Sequence, residues 1–375
     1  MRTKLVALAT TGVLAAAGLS ACTTDKSGAA GNTTRVNATK ENGRGSAGGK
    51  VGVILPDRTT SQRWGTDDPK FLKAAFDEAG VPVDIRNADN DKDSFQRIAD
   101  GMIADGVKVL MIANIDSESG KAVLDKARAE GIATIDYDRL TLNGGADYYV
   151  SFDNVKVGEL QGRGLVSCLF NKGVENPRVA YLNGSPTDNN AAQFKQGYDR
   201  VLVEKYDANE YWKGPDQDVP DWSNKDAQVI FQQMWDQMAG GIHGVLAAND
   251  GLGNAAITVL KKYNVNGKIP VTGQDATVQG LRNILAGDQC MTVYKPIKDE
   301  AGAAADLAIG LFKGEKKYVE GRTKDPVSGA YVASVLLPPK AIFKGNIKDV
   351  ITDGFVTRKA LCAGSYATLC EDNGL

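Results

Sequence analysis

Histidine is almost missing from the 375-residue chain: His243 stands alone. One imidazole excludes a His-rich metal centre and argues against a Ser-His-Asp hydrolase, so His243 reads as a surface side chain. No Gly-x-Ser-x-Gly turn is present, and no nucleophile has an evident base beside it. An excess of one charge is missing too. Forty-four Lys and Arg face 46 Asp and Glu, a net charge of −2. No polyanion-binding surface is implied, and nucleic acid is not an expected partner. A bilayer-spanning run is also lacking. The longest apolar and small-residue stretch, Leu5 to Leu19, is 15 residues long, against about 20 for a transmembrane helix. Apolar residues make up 42% of the chain. With Gly added and Tyr removed this becomes roughly 50%, an ordinary globular share. One hydrophobic core rarely grows past about 250–300 residues, so two domains are expected.

The N-terminus reads as an address. Arg2 and Lys4 precede the Leu5–Leu19 run, the order of a secretory signal. The run ends in Leu19-Ser20-Ala21-Cys22. Small residues before a Cys at that place resemble the bacterial lipobox, which implies cleavage before Cys22 and lipid on its thiol. Residues 1–21 are then a signal peptide, and 22–49 the lipidated Cys and a tether. Thr23 to Gly49 holds six Gly and no aromatic, Ile or Leu, too little apolar surface to offset chain entropy. Its 27 residues span about 30 Å as a flexible coil. The expected location is the outer face of the cytoplasmic membrane, reached through the lipid only. Four cysteines remain: Cys168, Cys290, Cys362 and Cys370. Outside the cell they permit two disulfides, with three possible pairings. The short loop between Cys362 and Cys370 favours that pair, which leaves Cys168 with Cys290. No spacing fits zinc.

Beyond Lys50, apolar β-branched runs alternate with amphipathic stretches at helical spacing. Strands are predicted at 51–55, 83–85, 107–113, 132–135 and 148–152, with helices at 68–79, 94–105 and 120–130 between them. Gly80, Gly106 and Gly131 stand where helices should stop. A second array follows. Its helices are 155–169, 190–204, 225–238, 254–263, 278–286 and 299–312. Its strands are 178–182, 245–248, 270–273, 290–294 and 331–336. Such alternation predicts an α/β fold of two doubly wound parallel-sheet lobes with a cleft between them.

Ligands of open α/β sheets bind beyond the carboxyl ends of the strands. There the chain places Asp57, Arg63 and Trp64; Asn114 and Asp116; Asp136, Asp138 and Arg139; Asp153 and Asn154; Asp188, Asn189 and Asn190; Asn249 and Asp250; Asp275; and Lys295. Carboxylates accept from hydroxyls, and guanidinium and amide groups donate. Trp64 and Trp222 are suited to cover the C–H faces of a sugar ring. Taken singly, an Asp or Asn in such a place serves equally as a helix cap or turn former. Two sharper motifs fail. Gly251-Leu-Gly253-Asn-Ala-Ala256 imitates a dinucleotide fingerprint, but Asn249 and Asp250 separate it from its strand. Asp89-Asn-Asp91-Lys-Asp93 starts like a calcium loop, but its sixth residue is Ser94 and its twelfth Asp100. No metal and no cofactor is expected.

Five stretches carry a family resemblance: Ile135-Asp-Tyr-Asp-Arg139, Ser151-Phe-Asp-Asn-Val-Lys-Val-Gly-Glu-Leu-Gln161, Gly184-Ser-Pro-Thr-Asp-Asn-Asn-Ala191, Gly273-Gln-Asp-Ala276 and Met291-Thr-Val-Tyr-Lys-Pro296. In this order they resemble the periplasmic D-xylose-binding proteins of sugar ABC transporters, from about Lys50 to Phe355. The Cys362–Cys370 tail has no counterpart in that pattern. The resemblance implies the type I periplasmic-binding fold, two lobes joined by a three-segment hinge. Together with the strand and helix pattern, it puts residues 50–154 and 296–331 in an N-terminal lobe, and 155–295 and 332–375 in a C-terminal lobe and tail. It implies sugar contacts from Arg63, Trp64, Asp138 and Arg139 on the first lobe. Those on the second are Asp188, Asn190, Trp222, Asn249, Asp275 and Lys295, with Asn154 near the hinge. The expected function is capture of D-xylose or a related monosaccharide and its delivery to an ABC permease by a monomeric, non-enzymatic receptor. The alternative is a sensor that presents sugar to a membrane signalling receptor.

Overall fold

The computed structural model describes residues 49–375. The signal peptide, the lipid-bearing Cys22 and the tether expected before Gly49 lie outside the described residues. The chain opens with β1 (Lys50–Leu55), α1 (Asp67–Glu78), β2 (Val83–Asn87), α2 (Lys92–Ala104), β3 (Val107–Ile112), α3 (Ser117–Ala129), β4 (Ala133–Tyr137) and β5 (Tyr148–Phe152). It crosses at Asp153 into α4 (Asn154–Asn171), β6 (Arg178–Asn183), α5 (Asn189–Asp207), β7 (Trp212–Asp218), α6 (Asn224–Gln237), β8 (Gly244–Ala247), α7 (Asp250–Lys262), α8 (Val278–Ala286) and β9 (Thr292–Tyr294). It returns at Lys295–Pro296 into α9 (Ile297–Phe312), β10 (Arg322–Lys324) and β11 (Tyr331–Leu337). A third crossing at Pro338–Pro339 leads to β12 (Lys340–Ile342) and the short helices α10 (Lys348–Thr352), α11 (Arg358–Leu361) and α12 (Ala367–Asp372).

The first lobe is a seven-stranded sheet in the order β10-β11-β5-β4-β3-β1-β2, parallel except for β10 at the edge. Successive strand residues point to opposite faces. Val51, Val53 and Leu55 of β1 and Val109 and Met111 of β3 pack toward Leu72 and Phe76 of α1 and the alanines of α9. Ile54, Leu110 and Ile112 pack toward Phe95 and Met102 of α2 and Val123 and Leu124 of α3. Helices cover both faces, so these strands read as nearly unbroken apolar runs.

One expected boundary is corrected here. The expected assignment of residues 332–375 to the second lobe fails at its start. Instead β11 pairs in parallel with β5, from Ala333 opposite Tyr148 to Leu337 opposite Phe152. Without β11, β5 would leave an open edge, and Val332 buries against Tyr149 there. The first lobe therefore runs to Leu337.

In the second lobe β7, β6 and β8 form a parallel sheet. The strand expected over 270–273 is reduced to one bridge, Val271 opposite Val245. Pro270 has no N–H to give, and the N–H of Ala247 donates to the Thr272 side chain at 3.0 Å instead of to a ladder carbonyl. Cys290 N then donates to Val271 O and Val293 N to Gly273 O, and β12 closes this edge antiparallel to β9. Cys168 of α4 is bonded to Cys290, and Cys362 to Cys370. The tail packs Ile347, Val350, Val356 and Leu361 onto Leu281, Ile284 and Leu285 of α8. Among the described residues no helix is long and apolar enough to cross a membrane.

Candidate functional site

The carboxyl ends of both sheets face one cleft. The space inside it open to the centre of a water-sized sphere is only about 30 Å³, room for ordered water between closely apposed walls. From the first lobe it is lined by Thr60, Ser61, Arg63, Trp64, Asp138 and Arg139. From the second it is lined by Asp188, Asn190, Phe194, Trp222, Asn249, Gln274 and Asp275, with Lys295 at the crossing. His243 is far from this chemistry: it is exposed, and its Nδ1 accepts from Arg178 N at 3.0 Å.

Asp138 is the hub. It follows β4 with φ of 62°, a left-handed turn that Asp tolerates better than most residues. Arg63 Nη1 donates to its Oδ2 at 2.8 Å, Lys295 Nζ to the same oxygen at 3.4 Å, and Asn190 Nδ2 to Oδ1 at 3.1 Å. Burial alone would raise its pKa, but Lys295, Arg63 and Arg139 outweigh it and hold the carboxyl below its ordinary range. Asp138 is therefore an acceptor throughout the physiological range. Asn190 joins it to the second lobe and in turn accepts from Asn154 Nδ2 at 2.9 Å.

Two other links cross the cleft. Arg139 pairs with Asp188 at 3.1 Å, and Ser61 Oγ donates to Asp275 Oδ2 at 3.0 Å. Asp188 also caps α5, accepting from Asn190 N, and takes the indole N–H of Trp222 at 3.1 Å. Asn249 caps α7 through Leu252 N. These two residues cap helices and line the cavity at once.

The indoles form the apolar walls. Trp64 is 3% exposed, lies under the Arg63 guanidinium at 4.2 Å and meets the edge of Tyr137. Trp222 has φ of 52°, a conformation a bulky residue adopts only when its surroundings impose it. Its ring stands edge-on to Phe194 and lies against Gly184, where any Cβ would collide with the indole. Gly184 is thus required for the wall. Among the described residues no group of three or more His, Cys, Asp or Glu is placed to hold a metal.

A buried ring of donors and acceptors walled by two indoles, drawn from two sheet lobes, suits a small polyhydroxylated solute. Comparison with known proteins narrows this. A family model described as a periplasmic binding protein domain matches residues 51–316. The chain belongs to this family. The D-xylose-binding periplasmic protein of Escherichia coli K12 is 35% identical over 307 residues, 82% of this chain and 90% of that protein. The multiple sugar-binding periplasmic receptor ChvE of Rhizobium radiobacter is 34% identical over 321 residues, 82% of this chain and 90% of its own. An ABC transporter solute-binding protein from Clostridium phytofermentans, solved with β-D-glucose, superposes with a TM-score of 0.76 at 28% identity. That match covers 83% of this chain and 99% of the other. The family and these relatives are solute-binding proteins, not enzymes, and the fold is the type I periplasmic-binding fold.

In this periplasmic binding protein ten of the eleven residues the sequence nominated for ligand contact line the cavity. Asn154 does not; it is buried behind Asn190. Other strand-end polar groups turn to the scaffold. Asp57 accepts from Thr59 N and Thr60 N, Asp116 caps α3 through Ser119 N, and Asn114 donates to Arg139 O and Thr141. Asp136 accepts from Thr141, and Asp250 from Thr277, Gln289 and Thr292. Thr60, Ser61, Phe194 and Gln274 were missed. Phe194 stands one helical turn beyond Asn190, and that i, i+4 spacing was the available signal. Gln274 lies inside a motif already singled out, beside Asp275.

Proposed function

We propose that this protein captures a monosaccharide, D-xylose or a close relative, between its lobes and delivers it to an ABC permease. The protein acts as a monomer held at the outer face of the cytoplasmic membrane by lipid on Cys22. The observation that carries the reading is the small buried cavity walled by Trp64 and Trp222 and ringed by polar groups from both lobes. The similarity to a D-xylose-binding protein supports the pentose, and the Leu19-Ser20-Ala21-Cys22 motif supports the anchor. Hydrogen bonds to charged groups contribute about 1.5–3 kcal/mol each. A handful suffices for a micromolar ligand, near −8 kcal/mol, after the costs of association.

A related reading widens the ligand to hexoses. It is favoured by relatives whose names specify several sugars or that were solved with β-D-glucose. One titration series decides between them. Purified protein is titrated with xylose, arabinose, ribose, glucose and galactose, followed by calorimetry and tryptophan fluorescence. Xylose is expected to bind most tightly and to change the emission. Tighter binding of a hexose would replace the pentose reading, and no heat with any sugar would overturn both.

A further inference from the structure

Arg63 is the most heavily engaged side chain at the cavity, and most of its partners lie outside it. A guanidinium has five N–H donors. Nε donates to Asp68 Oδ2 at 2.8 Å, Nη2 to Asp68 Oδ1 at 2.6 Å and to Glu300 Oε2 at 2.5 Å, and Nη1 to Asp138 Oδ2 at 2.8 Å. Four donors are committed, and one Nη1 hydrogen remains for the cavity. Asp68 on α1 and Glu300 on α9 are fully buried and do not line the cavity.

What Arg63 in turn supports is the ligand-facing wall. Its Cζ lies over the Trp64 ring, 4.2 Å from the ring centre, and its Nη1 fixes the hub carboxylate Asp138. Glu300 belongs to the first turn of α9, directly after the Lys295–Pro296 crossing. One short segment thus supplies two anchors: Lys295 to Asp138 and Glu300 to Arg63. The other Glu300 oxygen, Oε1, is buried with no protein partner. Burial pushes the Glu300 carboxyl well above its usual range; Asp138 and Asp68 add to this, and Arg63 and Lys295 oppose it.

We propose that Glu300 is a positioning residue of the cleft. It does not meet the sugar; it holds Arg63 over Trp64 with a single N–H left for the ligand. This rests on the reading of the cleft as a sugar site.

The test compares Glu300→Ala and Glu300→Gln in the full mature protein. Sugar affinity is measured by calorimetry, and exposure of Trp64 by acrylamide quenching without ligand. Each variant is compared with its Trp64→Phe counterpart to isolate that indole. Glu300→Gln retains a carbonyl acceptor of the same reach, and is expected to bind within about threefold of wild type with unchanged quenching. Glu300→Ala is expected to weaken binding by about tenfold or more, one charged hydrogen bond's worth, and to raise Trp64 quenching. Equal binding and quenching in Glu300→Ala and wild type would overturn the proposal, as would Glu300→Gln no better than Glu300→Ala. Should Glu300→Ala fail to fold, Glu300→Asp withdraws the carboxyl by one methylene and is judged by the same criteria. If wild type binds none of the sugars, the function reading fails. Glu300 is then judged on ligand-free quenching alone, and no change in Glu300→Ala would sink it.

Discussion

At the scale of residues, the sheet edges separate polar groups that serve the ligand from those that serve the fold. Asp138 and Asp136 are two residues apart, yet one carboxyl is held down by cations and the other is raised to about 7 by burial. Asp136 has only Thr141 as partner, through main chain and hydroxyl. Its unfolded pKa is about 3.9. Between pH 4 and 7 the unfolded chain has lost this proton and the folded chain keeps it, so stability falls as pH rises through that window. Asp136→Asn is expected to remove a slope of roughly 3–4 kcal/mol between pH 4 and 8, read as the difference between wild-type and variant urea midpoints. Asp250, also raised to about 7 by burial, contributes equally to both proteins and cancels. Parallel profiles would refute the assignment. Strand-end position alone was visible in the sequence, so Asp136 and Asp138 looked alike; the cations that distinguish them come from residues 63 and 295, far apart in the chain. Glu300 was invisible for a related reason. An acid in the first turn of a helix reads as a partner for the helix dipole, and only the folded chain brings it to Arg63.

Elements were legible in proportion to how completely they are buried. β1 and β3, covered on both faces, stand out as apolar runs. β7 does not, because Trp212–Asp218 is a largely polar edge strand containing Pro215, with no apolar alternation to detect. The tail helices were missed because they are too short for a helical period to show. A further feature beyond periodicity is the closeness of α4 and α5. Gly158 and Gly197 face each other across them, and a Cβ on Gly197 would run into the Val155 carbonyl of α4. Main chain cannot yield as a side chain does, so the helices must separate. Gly197→Ala is expected to cost about 1–3 kcal/mol, as overpacked cores do. The damage should also reach the site, because Asn154 and Asn190 bond to each other at the N-terminal ends of these two helices. A lowered melting temperature together with weaker sugar binding is expected. Unchanged stability would show that the helix pair tolerates a wider spacing.

For the whole molecule, two lobes and a cleft followed from the alternation of strands and helices, but the third crossing did not. An apolar strand such as Tyr331–Leu337 fits either sheet by pattern, and only the open edge of β5 decides which. The lobes meet across the cleft through polar links: Asn190 to Asp138, Arg139 to Asp188 and Ser61 to Asp275. Water competes for such bonds, so they hold the lobes weakly by themselves, and a ligand shifts the balance only by its differential affinity for the closed form. A link that forms on closure should govern escape more than entry. Ser61→Ala removes the bond to Asp275 and leaves the indole walls and the Asp138 hub intact. It is expected to speed sugar dissociation by about fivefold, near 1 kcal/mol, with association and ligand-free melting unchanged. Stopped-flow tryptophan fluorescence measures both rates. A slowed association with unaltered dissociation would mean that Ser61 acts on the open form, and the latch would have to be sought at Arg139 and Asp188 instead.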